Sequence, residues 1–133
     1  MDPAARDHFA AADRNLTIAD DLLHHTPYGL SDSAFEWVVI VSFYSTVRVI
    51  NALILHNTRS LPRTHGERFQ YIIQSSALRP LKDDYRDLRD WSEQARYTVT
   101  PSAFDGYLAQ TALDSAQGIR DHIHRYLANR PDR

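Results

Sequence analysis

Histidine and arginine are the residues with which this chain could do chemistry. It holds seven histidines, fourteen arginines, one lysine (Lys82), three glutamates (Glu36, Glu67 and Glu93) and no cysteine. An imidazole titrates near neutral pH and serves as acid or base. A guanidinium stays charged and grips an oxyanion through parallel hydrogen bonds. The candidate catalytic residues are His65 and Arg96, and the candidate binding residues are Arg59, Arg68 and Tyr97. Genomic base composition is the competing explanation for the arginine excess. The lack of cysteine removes a disulfide framework, a thiolate metal site and a cysteine nucleophile. With so few glutamates and no Glu-x-x-His, a carboxylate di-iron bundle is disfavoured. No histidines stand four apart; His24-His25 diverge on a helix, as do His122 and His124, so no metal and no cofactor are expected.

Long helices must position these residues. Four glycines and six prolines fall at a few places, which suits helices joined by short loops. Phe9, Ala12, Leu16, Ala19 and Leu23 recur at helical steps and predict a first helix over 3–25, ended by Pro27 and Gly29. The pair Ser33-x-x-Glu36 forms a capping box and opens a second helix reaching His56. It is apolar on most sides and therefore central. Residues 57–63 are a loop. Thr64-x-x-Glu67 is a second capping box, followed by Phe69, Ile72 and Ile73 facing inward. Pro80 begins a fourth helix with Leu81, Tyr85, Leu88, Trp91 and Ala95 as its buried stripe. Thr100-Pro101 caps the last helix, with Phe104, Leu108, Thr111, Ser115, Ile119, His122 and Tyr126 inward, and residues 129–133 form a disordered tail.

The expectation is a single all-α domain over 1–133, an up-and-down four- or five-helix bundle with its core over about 3–128. Short connections make sequential helices antiparallel neighbours. The start of the third helix and the end of the second should then meet the end of the fourth, gathering His56, Arg59, His65, Arg68, Glu93, Arg96 and Tyr97.

Several short motifs occur in a familiar order. Phe43-Tyr44 lies in the apolar second helix, which ends Asn51-Ala52-Leu53-Ile54. Pro62-Arg63-Thr64-His65 and Arg68 follow a loop, and Tyr85-x-x-Leu88-x-x-x-Ser92-x-x-Ala95-Arg96-Tyr97 comes later. Over residues 9–127 this resembles the HEPN family, small helical bundles of prokaryotes that often dimerise. The resemblance implies an RNA- or nucleotide-related role, possible membership of a toxin–antitoxin or defence system, and a partner protein encoded nearby. Many such proteins are metal-independent endoribonucleases with an arginine followed four to six residues later by a histidine near the end of an inner helix. No histidine follows Arg96 at that spacing, so the resemblance leaves metal-independent ribonuclease activity an open question. An Arg59-x5-His65 string lies in the loop instead, and arises easily in a chain this rich in both residues.

If the gathered cluster acts on RNA, His65 is the acid or base for the 2′-hydroxyl. Arg59, Arg68 and Arg96 hold the phosphate, and Tyr97 hydrogen-bonds to a base or stacks on it. The competing reading is structural: His65 closes its loop, Arg96 pairs with Glu93 or Glu67, and Tyr97 is a core ring with a wet hydroxyl. Net charge is −2, so any attraction for nucleic acid must be local, as around Arg59, Arg63, His65 and Arg68. Within the apolar second helix, Arg48 needs an aspartate inside the bundle or a second subunit. Trp37, Tyr44 and Arg48 mark the face on which a homodimer would form, and the alternatives to an RNA-related role are a non-catalytic homodimeric interaction module and a small-molecule-binding helical bundle. No transmembrane span or secretion signal is expected, because Glu36, Arg48 and Asn51 interrupt the most apolar run, and a cytoplasmic location follows.

Overall fold

The computed structural model describes residues 1–25, 32–97 and 104–129, with side chains from 35 onward in the second stretch. Among these residues it is all-α: α1 (Pro3–His24), α2 (Asp32–Thr58), α3 (His65–Gln74), a 3-10 turn (Arg79–Leu81), α4 (Lys82–Tyr97) and α5 (Gly106–Ala128). The expected stops at Pro27 and Gly29, the Ser33 side chain, the Thr100-Pro101 cap and the last four residues lie outside the described residues. Asn129 is not the start of a tail. It caps α5, its backbone N–H donating to the carbonyls of Arg125 and Leu127.

Local chemistry explains the helix ends. Pro3 stands at the first position of α1, where its missing N–H costs little, and Asp2 accepts from the backbone N–H groups of Ala4 and Ala5. Thr64 caps α3 by accepting from Glu67 N–H at 3.1 Å. Glu67 reaches back as a capping box requires, but to Arg63 N–H, one residue earlier than expected, at 2.7 Å. Two residues beyond its expected end, α2 stops at Thr58. Arg59 leaves it at φ 62°, the left-handed conformation that usually falls to glycine.

Three contacts set α1 antiparallel to α2. Arg59 pairs with Asp2 at 3.5 Å, Arg48 Nη1 meets His8 Nδ1 at 3.1 Å, and Ser45 Oγ donates to the Ala12 carbonyl at 2.9 Å. Against α5, α1 is also antiparallel: Phe9 meets His124, and Arg120 holds both oxygens of Asp13 at 2.9 and 3.1 Å. The central helix is α2, packed on α1, α5 and α4, with Val38, Val39, Phe43, Val49, Ala52 and Leu53 fully buried. By length and composition alone its stretch Phe35–Thr58 could cross a membrane, contrary to the expectation from sequence; most of that stretch is buried against the other helices. Inside the bundle that apolar surface has protein rather than lipid as its partner.

The buried stripe of α4 is Tyr85, Leu88, Ser92 and Ala95, with Trp91 half-buried, close to expectation. The expected inner face of the last helix is right at Phe104 and Ile119 and otherwise displaced around α5. Ala109, Ala112, Leu113, Ala116, Ile119, Ile123 and Leu127 face inward, while Leu108, Thr111, Ser115, His122 and Tyr126 sit beside them, half-buried. Alanine carries little hydrophobic signal, yet its small side chain lets helices approach closely. Buried residues of all five helices form one hydrophobic cluster.

Candidate functional site

The site is built where α3 leans on α2 and α4. The backbones of α3 and α2 stay apart, and long side chains cross the gap. Arg68, one turn into α3, is 7% exposed. Its Nε–H donates to Asn51 Oδ1 at 3.0 Å, and its Nη1 donates to His65 Nδ1 at 2.9 Å. Asn51 is itself buried, so its carbonyl oxygen and the Arg68 Nε–H satisfy each other inside the bundle. A second bridge, from Asn57 Nδ2 to the Tyr71 hydroxyl at 3.0 Å, ties the next turn of α3 to α2.

His65 lies against the Phe43 ring, centroids 5.6 Å apart, and Phe43 in turn meets Tyr85 at 5.8 Å. Phe69 stacks on Tyr85, 6.2 Å between centroids and 18° between planes. Phe69 thus faces the first turn of α4, while the charges of Arg89, Glu93 and Arg96 reach His65 from its second half, so α3 and α4 run in opposite directions. Burial, then the guanidinium charges of Arg68, Arg89 and Arg96, hold the His65 imidazole below its ordinary value; Glu93 opposes them. Because a guanidinium can only donate, His65 Nδ1 must be the acceptor, which leaves its proton on Nε2.

Arg96 extends from the last turn of α4 towards the middle of α2. Its Nη1 donates to the Tyr44 hydroxyl at 3.5 Å, its Nε to the Ser92 carbonyl at 3.4 Å, and its guanidinium lies 5.6 Å from the Tyr97 ring centre. Of the expected gathering, His65 and Arg68 are bonded to each other and the charges of Arg96 and Glu93 act on His65, and this group meets α2 in its middle turns rather than at its end. Tyr97 is exposed, not a core ring. Arg59 is engaged elsewhere, in its ion pair with Asp2.

Sequence reasoning missed Arg89 as a member. Its Nε is buried without a partner, and its charge acts on His65. The helical spacing of Arg89, Glu93 and Arg96 was the available signal, since residues three and four apart share one face. Asn51 was visible as a polar interruption of an apolar helix, but its role in holding Arg68 was not. Arg48 does not meet the aspartate expected inside the bundle: it is exposed, with His8 as its partner. Burial and the Arg48 charge also lower the His8 imidazole.

Elsewhere, Asp20, Asp21 and His25 bring their ligand atoms within 4.8 Å of one another at the end of α1, all in exposed or half-exposed positions. Asp20 lies 3.9 Å from His24 and 3.6 Å from His25, contacts that become ion pairs only when those imidazoles are protonated. An open groove between α1 and α5 is lined by Asp13, Leu16, Thr17, Asp20 and Gln117. Its two carboxylates make it unsuited to anions. In comparison with known proteins, the chain matches no family model, no curated protein and no solved structure.

Proposed function

We propose that this helical bundle is a HEPN-like domain with an RNA- or nucleotide-related role, and that the cluster at the α2–α3–α4 junction holds a phosphate. One observation carries this reading: buried Arg68, held by Asn51, donates to His65 at 2.9 Å, and the charges of Arg89 and Arg96 bear on the same imidazole against one carboxylate, Glu93. An oxyanion entering there relieves the mutual repulsion of the cations and accepts their N–H groups. The imidazole tautomer favours holding over cutting. With Nδ1 taken by Arg68, His65 offers Nε2–H as a donor to a phosphate oxygen rather than a lone pair to a 2′-hydroxyl.

The test is a mixed single-stranded RNA incubated with the protein with and without EDTA, alongside His65→Ala and Arg96→Ala. Retention of intact RNA, weakened about tenfold or more by Arg96→Ala through loss of a charged hydrogen bond, is the expected result. Binding unchanged in both variants removes the cluster from the function. Cleavage that survives EDTA and is lost in His65→Ala replaces binding with a metal-independent endoribonuclease.

The wider setting, a toxin–antitoxin or defence component acting in the cytoplasm with a partner encoded nearby, follows from the resemblance alone. A second reading, a non-catalytic homodimeric interaction module, is favoured by exposed Trp37 and Tyr44 on α2.

A further inference from the structure

The outer face of α2 carries a feature that phosphate binding does not use. Trp37, Val41, Tyr44 and Arg48 stand at helical steps of four, three and four, so they form one stripe. Trp37 is 57% and Tyr44 42% exposed, although α2 is otherwise the most buried helix in the fold. Tyr97, 78% exposed, joins the stripe from α4 through Arg96, whose guanidinium lies between the Tyr44 hydroxyl and the Tyr97 ring. Arg48 closes the other end beside His8.

We infer that this stripe is a base-stacking surface for single-stranded nucleic acid, whose backbone runs from Arg48 past Arg96 into the His65 cluster. The inference rests on the phosphate-site reading and adds the kind of strand that the site receives. Aromatic faces stack on any unpaired base, whereas a duplex keeps its bases stacked on each other and offers only phosphates and groove edges. Seven residues of helix separate Trp37 from Tyr44 by about 10 Å, several times a 3.4 Å stacking step, so the rings hold separate bases. The rings sit on a rigid central helix rather than on loops, so little ordering is required on binding.

Charge decides between a strand and a second copy of this chain. Arg48 and Arg96 are exposed on the stripe, and the charges of Arg68 and Arg89 act on His65 beside it, four guanidinium groups against the carboxylates of Asp7, Glu36 and Glu93. Two-fold pairing would bring these arginines towards their own copies, while a phosphodiester backbone neutralises them.

The chain has two tryptophans, so a Trp91→Phe background leaves Trp37 as the sole indole reporter. That protein is titrated with a twelve-nucleotide uridine single strand and with a duplex RNA of equal length, reading indole emission and the anisotropy of the labelled RNA over a salt series. The expected result is quenching by the single strand and not by the duplex. Trp37→Ala and Tyr44→Ala each weaken single-strand binding about five-fold or more while leaving the salt slope unchanged. Arg96→Ala lowers that slope. Both rings are exposed, so their removal does not open the core, and circular dichroism verifies the helices.

Equal affinity for both RNAs, unaffected by Trp37→Ala yet weakened by Arg96→Ala, overturns the stacking surface and leaves the phosphate site standing. No binding of either RNA overturns both. Protection of Trp37 from iodide that rises with protein concentration, with a doubled mass by light scattering and no RNA present, assigns the face to a second copy and overturns the inference.

Discussion

Arg68→Met keeps a long apolar stem in α3 and removes the guanidinium, so it isolates what that charge contributes. Two hydrogen bonds disappear, to Asn51 at 3.0 Å and to His65 at 2.9 Å. The His65 bond is replaceable by water, because the imidazole is only half-buried. The Asn51 bond is not: Asn51 is 8% exposed and loses the partner of its buried carbonyl oxygen. Orphaning such an acceptor costs about 1–3 kcal/mol. Relief of the desolvation of a charge that is itself 7% exposed offsets part of this. The expected destabilisation is about 1–2 kcal/mol, measured by urea unfolding at pH 7.5. Asn51→Leu in the same background should recover most of it, because an apolar pair leaves no unsatisfied group. The substitution also acts on His65. Removing the nearest cation and freeing Nδ1 must raise its titration midpoint, read from the imidazole proton shifts by NMR. Stability within 0.3 kcal/mol of wild type together with an unmoved His65 midpoint would refute the claim that Arg68 organises the site.

Three further outcomes follow from particular contacts. At the left-handed residue after α2, Arg59→Gly should be more stable than Arg59→Ala by about 1 kcal/mol, since both lose the Asp2 pair and only alanine keeps the steric penalty; thermal unfolding compares them. Ala116→Leu on the inward face of α5 should cost about 1–3 kcal/mol by overpacking, whereas Gln117→Leu beside it should change stability by less than about 0.5 kcal/mol. Stability should fall as pH drops below 6.5, the ordinary histidine value. In that window the unfolded chain binds protons that His65 and His8 of the folded chain resist, so unfolding is favoured until the folded imidazoles protonate too. His65→Gln with His8→Gln should flatten the decline of melting temperature between pH 7 and 5; an identical decline in the double variant assigns it to other groups.

Much of this architecture was legible from local chemistry. Asp2-Pro3 and Thr64-x-x-Glu67 mark helix starts because short polar side chains and proline satisfy or omit the same orphan backbone groups. The α1 and α4 stripes were legible because large side chains carried the period. The α5 stripe was legible only in part: Ile119 was read as inward, but half-buried Leu108 and Tyr126 offered a competing helical register that passed over Ala109, Ala112, Leu113, Ala116, Ile123 and Leu127. For the candidate site, the opposite directions of α3 and α4 sufficed to bring His65, Arg68 and Arg96 together. Arg89 escaped notice, and Arg59 was misplaced, because ring position around a helix and the path of a short loop decide which of many arginines turn inward.

What the sequence determined by itself is the set of helices, the central place of α2 and the stock of imidazole and guanidinium groups open to chemistry, all properties of residue type and spacing along one strand of chain. Only the tertiary structure decided that Asn51 holds Arg68, that Arg68 sets the tautomer of His65, and that Tyr44 meets Arg96 while Arg48 meets His8. Those pairings depend on the rotation and separation of neighbouring helices. The packing of many side chains fixes these at once, and no local pattern encodes them.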